Sequence, residues 1–188
     1  MPSRRQRQMC IRDRCAPLHP IVFNDLFCLQ DPRVHTISVG AARPEDLELH
    51  LEALRLLPEA ASLIAPVDQR LRQAADEALG RDWMATWSVG LPPWHATPGE
   101  INLPVLLWLY NLLEAWDLES YAKARYGLFG SGGHWFAGSN ADGFDGEVSA
   151  KELQSVLQQS PWCERIPEIL RSLKQRLKGE SQKRLSSV

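Results

Sequence analysis

The stretch Asp31-Pro-Arg-Val-His-Thr-Ile-Ser-Val-Gly-Ala-Ala-Arg-Pro-Glu-Asp-Leu-Glu-Leu-His-Leu-Glu-Ala-Leu54 decides how the chain is read. Its first part, Val34 to Val39, alternates and is β-branched, the pattern of a short strand. Gly40 ends that pattern, and Pro44 opens a helix whose first turn carries Glu45 and Asp46, acids suited to a helix N-terminus. Leu47, Leu51 and Leu54 stand 4 and 3 apart, so this helix is amphipathic and is expected to reach about Leu57. No second strand is visible elsewhere. A lone strand leaves its backbone groups without partners, so a strand at 34–39 implies sheet neighbours that this chain does not supply.

Outward from this stretch the text is helical. Val22, Leu26 and Leu29 share one face of an apolar segment between Pro17 and Leu29, which Asp31-Pro32 breaks. A second pattern runs from about Glu59 to Leu79 through Leu63, Val67, Leu71, Ala74 and Ala75. Pro66 threatens to split or kink it, and Gly80 is its expected stop. Residues 81–102 carry Trp83, Trp87 and Trp94 among prolines and glycines and read as an irregular but packed loop. Leu103 to about Trp116 is a buried helix, because its apolar residues occupy most of the circumference. Asp117 is expected to start another helix, Leu118 to about Leu128. The Gly-rich stretch 130–148 reads as a loop, followed by helices near 149–159 and 165–178.

The chain has 188 residues, 44% hydrophobic and 23% charged, which are globular values and exclude a disordered or collagen-like chain. The longest apolar run, Val105 to Tyr110, is six residues, far short of the roughly 20 a bilayer span needs. The net charge of −2 hides a pattern: residues 1–14 and 164–188 each carry +4, which leaves −10 between them. So acidic a body is a poor nucleic-acid binder, since phosphate contacts need Lys and Arg. The four cysteines, at 10, 15, 28 and 163, form no C-x-x-C pair, and no secretory signal is apparent. Free thiols in a reducing cytoplasm are the expectation.

Residues 1–14 show no apolar periodicity, and Met9-Cys-Ile-Arg-Asp-Arg14 resembles a translated sequencing-adapter remnant. Residues 1–14 are then expected to be disordered and artefactual, with the true chain extending upstream of Cys15. An Arg-rich arm that binds anions is the competing reading.

Three patterns could carry chemistry. The turn Ser38 to Asp46 joins Gly40, a helix N-terminus and the Arg43 guanidinium, the makings of an anion site. Asp145-Gly-Glu-Val-Ser-Ala-Lys-Glu152 has part of a calcium loop. With Gly146 as its sixth position, however, the first and third fall on Ala141 and Gly143, which offer no carboxylate. Ser149 and Glu152 instead form the spacing of a capping box. Gly130-Ser-Gly-Gly-His134 shares only its glycines with a phosphate loop, since no Gly-Lys-Ser/Thr follows. His134 could face an active-site mouth in a complete enzyme. His35 reads as a packed or edge residue, and Tyr121, Lys123 and Tyr126 as ordinary surface and core positions of one helix.

The stretch 31–54 resembles the last strand and last helix of an aldo/keto reductase barrel. Trp83, Trp87, Gly90-Leu-Pro, Trp94, Thr97-Pro-Gly, Ile101-Asn-Leu-Pro and Gly133-His-Trp-Phe136 resemble the helical extension of a bacterial and cyanobacterial subgroup of that family. The resemblance implies a mainly α chain: the last βα unit of a TIM-type (β/α)8 barrel at 15–57, a helical accessory domain at 58–180 and a disordered tail at 181–188. By the same resemblance, Gly40, Ala41, Arg43, Asp46 and His50 would face the adenosine phosphate end of NADP or NAD. Asp46 departs from the pattern where an Arg often contacts the 2′-phosphate, and His50 where an Asn is common. The family's catalytic Asp, Tyr, Lys and His lie on earlier strands and have no match here. Many relatives end in a ferredoxin-like segment, but Cys163 alone stands there, too few ligands for an iron–sulfur cluster. The implied function is that of the C-terminal part of a cytoplasmic NAD(P)H-dependent reductase of small carbonyl compounds, inactive by itself, with neither nucleic acid nor membrane as partner. The alternative is a non-catalytic helical interaction module that docks through its tryptophan-rich surface.

Overall fold

The computed structural model describes residues 13–130 and 136–179. It is mainly helical, and no strand occurs among the described residues. Two compact units are present, residues 1–74 and 75–188.

In the first unit, α1 (Pro20–Leu29) packs against α2 (Pro44–Leu56), and a short 3-10 turn at Leu57–Glu59 leads into α3 (Ala60–Leu79). Pro sits in the first turn of both α1 and α2, where its missing N–H costs nothing. Val22 and Leu26 of α1, Ala53 of α2, and Ile64 and Val67 of α3 form the core with Cys15, Leu18 and Ala60. α3 runs through Pro66 without interruption. The expected split therefore does not occur. Arg70 of α3 reaches the chain ahead of α1, donating from Nε to the carbonyl of Arg14 at 3.0 Å and from Nη2 to that of Ala16.

Two expectations change here. Residues 34–40 hold no ladder; they run as an exposed or half-buried irregular segment, and the strand expected at 34–39 is not formed. Its alternation describes half of a pair, and no second half is present among the described residues. The leucines that make α2 amphipathic are also not its packed face. Leu47, Leu51 and Leu54 are 51%, 46% and 56% exposed, while Ala53, on the opposite side, is fully buried. Leu49 and Leu56 pack beside Ala53. The helix is apolar on two sides and covered on one.

The second unit contains α4 (Arg81–Thr86), 3-10 turns at Trp94–Ala96 and Pro98–Glu100, α5 (Leu103–Trp116), α6 (Glu119–Tyr126), α7 (Ala150–Val156) and α8 (Ile166–Leu177). α5 is central: Leu103, Leu106, Leu107, Leu109, Leu113 and Ala115 are buried, and it packs on α6 and α8. Its start is set by Asn102, whose Oδ1 accepts from the Val105 N–H and whose Nδ2 donates to the carbonyl of Ala137 at 2.8 Å. Thr97 Oγ1 lies 2.6 Å from the carbonyls of both Trp94 and Ile101 and closes the preceding turn. The Thr97-Pro-Gly and Ile101-Asn-Leu-Pro motifs thus serve as turn and helix cap. Residues 81–102 are not irregular throughout, because α4 occupies 81–86 and seats Trp83 in the core. Asp117 does not start α6. It ends α5 in the left-handed conformation (φ 56°), where its N–H bonds the Leu113 carbonyl and that of Leu118 bonds Leu112.

Trp83 is fully buried and joins three parts of this unit. Its indole N–H donates to Asn111 Oδ1 of α5 at 2.6 Å, its ring meets Trp162 edge-on, and the Arg165 guanidinium lies 4.4 Å from its ring centroid. The loop ahead of α7 buries Ala141, Phe144 and Val148 and is pinned to α8 by Arg171 on Asp145 and Lys174 on the Phe144 carbonyl. The Ser149–Glu152 capping box forms as its spacing indicates.

Gly90 has φ +70°, and a Cβ there would lie 2.3 Å from the Gln159 carbonyl oxygen. That atom belongs to the backbone and cannot rotate away. Gly90→Ala is therefore expected to destabilise the chain by at least about 2 kcal/mol, measured by urea unfolding; a loss within error of zero would refute this close approach.

Candidate functional site

The turn from Gly40 to Asp46 enters α2. Arg43 is its extended N-cap residue (φ −139°, ψ 153°). The Asp46 carboxylate folds back over the turn, where Oδ2 accepts the N–H groups of Ala42 at 3.0 Å and of Arg43 at 3.1 Å. Arg43 Nη2 lies 3.4 Å from the other oxygen, Oδ1. Asp46 is buried while the Arg43 guanidinium is mostly exposed. The Arg43 N–H bond, above all, holds the Asp46 carboxyl below the usual aspartate range, with smaller help from the Ala42 N–H and the Arg43 charge and against the opposing effect of burial.

This geometry bears on an anion site. A phosphate at a helix N-terminus uses free backbone N–H groups and a positive dipole end. Here the N–H groups of Ala42 and Arg43 already hold a carboxylate from the same chain. Gly40 and Ala41 are exposed, and nothing lies within 4 Å of a Cβ built at Gly40, so no close approach demands glycine there. Of the five residues the sequence singles out, the structure brings Arg43 and Asp46 into contact and leaves Gly40 and Ala41 on open surface.

His50 lies one turn along α2 and is engaged elsewhere. Its Nδ1 is 2.5 Å from Asp25 Oδ2 of α1, with the Asp25 side chain 4% exposed. A buried carboxylate requires such a partner. Asp25 belongs to no motif, and the sequence signal for it is its place next to Leu26 and three residues after Val22, which sets a carboxylate on the buried stripe of α1. An acid oriented on a histidine is the supporting half of a nucleophilic triad. Here, however, Nε2 is buried and meets no hydrogen-bond partner among the described residues, so no nucleophile completes it.

His35 is exposed in the 34–40 segment, and His134 lies outside the described residues. Tyr126 donates to Asp142 Oδ1 at 2.7 Å, and burial, then that bond, pushes its phenol far above the ordinary tyrosine value. Such a phenol is a poor proton donor at neutral pH. Asp145, the would-be calcium ligand, pairs with Arg171. Among the described residues, no group of three His, Cys, Asp or Glu side chains could hold a metal ion, and no helix is long and apolar enough to cross a membrane. Cys15, Cys28 and Cys163 are free, and burial raises the Cys15 thiol above its usual range. An open cavity of about 450 Å³ in the second unit is walled by Gly90, Pro92, Pro93, Ser155, Gln158 and Gln159 among others, and no titratable side chain lines it.

Compared with known proteins, the chain matches no family model, no curated protein and no solved structure.

A depressed carboxyl stabilises the fold above the unfolded aspartate range, and this contribution fades as pH falls through the folded value. Asp46→Asn is thus expected to lower the melting temperature at neutral pH, with the two curves converging under acid conditions below the normal aspartate range. Equal melting temperatures at neutral pH would show that the Asp46 cap does not contribute.

Proposed function

We propose that the chain is the C-terminal part of an NAD(P)H-dependent aldo/keto reductase, holding the last βα unit of the barrel and a helical extension, and that it is catalytically inert by itself. The observation that carries this reading is the state of residues 34–56: a β-branched segment with no ladder, a turn closed at Gly40 to Asp46, and a helix with Leu47, Leu51 and Leu54 uncovered. A parallel βα unit has these features when its neighbouring strands are taken away, because the strand loses its hydrogen-bond partners and the helix loses the sheet it covers. The motif resemblance over 31–54 and 83–136 supplies the family. In the complete parent, hydride would come from the nicotinamide of the bound cofactor. The residues present here would contribute only to its adenosine phosphate end, through Arg43 and the N-terminus of α2.

For the interaction-module alternative, Trp83 is core and unavailable for docking, while Trp87 and Trp94 of the same stretch are half-buried. What favours it is the exposed pair Trp108 and Tyr121, edge-on at 6.2 Å with Arg125 stacked 4.7 Å from the Tyr121 centroid, a composition typical of protein contacts.

Purified chain is expected to oxidise neither NADPH nor NADH in the presence of aldehydes or quinones. It is also expected to bind NADP no more tightly than about millimolar by titration calorimetry, since a few N–H contacts and one Arg barely offset immobilisation of a dinucleotide. Turnover above a heat-treated control, or micromolar binding abolished by Arg43→Ala, would overturn the reading.

A further inference from the structure

We propose that the uncovered face of α2 is a self-association surface on which two copies of this chain pair with their α2 helices antiparallel. The face is defined by Leu47, Leu51 and Leu54, each about half exposed, on the side opposite buried Ala53. Leu47 and Leu54 project about 40° and 60° to one side of Leu51, so the three form one stripe. On its other side, exposed Arg55 and Glu48 stand at about 40° and 60° from Leu51, and exposed Glu52 and Glu45 lie farther round, at about 100° and 120°.

The order of those charges selects a second copy as the occupant. An isologous pair has a two-fold axis, and placing it at Leu51 sets each leucine stripe against its mate. In an antiparallel helix pair, like flanks face one another. Glu48 then stands about 4.5 Å along the axis on one side of Leu51, and Arg55 about 6 Å on the other, at 1.5 Å per residue. The two-fold brings Glu48 level with Arg55 of the partner subunit, and the symmetric pair forms as well. A parallel two-fold pair would instead set the Glu48–Arg55 flank of each copy against the Leu47–Leu54 flank of the other, leaving both charges without a partner. The helix is thus complementary in charge to itself in one orientation only. Two short helices cover less than the roughly 1,200 Å² of a stable interface, so the dimer is weak, with a dissociation constant on the order of 100 µM. It stands on α2 alone: NADPH turnover by the chain would remove the reading of an inert C-terminal part and leave the dimer untouched.

Sedimentation velocity on the full chain, from about 5 to 500 µM, tests the proposal by mass action. The average mass is expected to rise from one chain towards two. Leu51→Glu should weaken association at least tenfold with an unchanged far-UV circular dichroism spectrum, since the residue is exposed. Arg55→Glu should also weaken it, by setting two glutamates level, and the double charge swap Glu48→Arg with Arg55→Glu should restore it. A chain that stays monomeric throughout the range overturns the proposal, as does a dimer indifferent to Leu51→Glu or a charge swap that fails to rescue. Monomeric behaviour would leave a sheet, not a second copy, as the occupant of the face.

Discussion

The burial of Trp83 is the constraint on which the second unit depends. An indole taken wholly out of water needs a partner for its N–H, and Asn111 supplies one from the middle of α5. That bond sets the rotation of α5 together with the ion pair from its Glu114 to Arg176 of α8. With α5 set, its remaining faces receive α6 and α8, and Trp162 and Arg165 close over the ring from the chain leading into α8. Trp162 in turn donates its own N–H to Thr86 at 3.1 Å, so α4 is held at both ends of the aromatic stack. The tryptophans of this region build a scaffold. The one tryptophan left at the surface of α5, Trp108, is not part of it.

The first unit is governed by a different balance. Its core is small, and one of its inter-helix contacts is polar, Asp25 of α1 with His50 of α2. Three large leucines remain outside that core. A helix with two apolar sides belongs in the middle of a layered structure, where both sides meet other elements. The segment ahead of it carries the matching deficit in backbone hydrogen bonds. The two deficits adjoin in sequence, and the proposed parent barrel would make both good with one sheet.

The sequence discloses some parts of this structure and hides others for identifiable reasons. α5 is plain because Leu103 to Trp116 has apolar residues nearly all round, with Asn102 as cap and Pro104 just inside. α7 is plain because Ser149 and Glu152 form a reciprocal cap. α4 is hidden because six residues among prolines and glycines show no period, and its place is set by the tertiary contacts of Trp83 and Thr86. Asp117 misleads because aspartate is a common residue at helix starts, yet here it adopts the left-handed turn that closes α5. The stretch 34–39 misleads more deeply, since alternation is a property of one strand and a ladder is a property of two. At the candidate site, Glu45 and Asp46 mark a helix start correctly, but the sequence does not tell that the Asp46 side chain turns back onto Ala42 and Arg43. Nor does it tell that His50 is held by an aspartate 25 residues earlier.

That last turn frames the question of cofactor binding. The features that make Gly40 to Arg43 look like a phosphate cradle are the ones Asp46 uses: two aligned N–H groups, a helix N-terminus and a guanidinium beside them. A carboxylate tethered three residues away acts on those groups at millimolar effective concentration or higher, and a free phosphate must displace it while approaching its negative charge. Displacement also gives up the bonds that define the entry into α2. Binding at this turn therefore demands contacts from elsewhere large enough to offset the lost cap, such as a nicotinamide and pyrophosphate seated in a complete barrel. Without them, the shape of the turn is explained by the helix it starts, and Asp46 is the anion for which it is built.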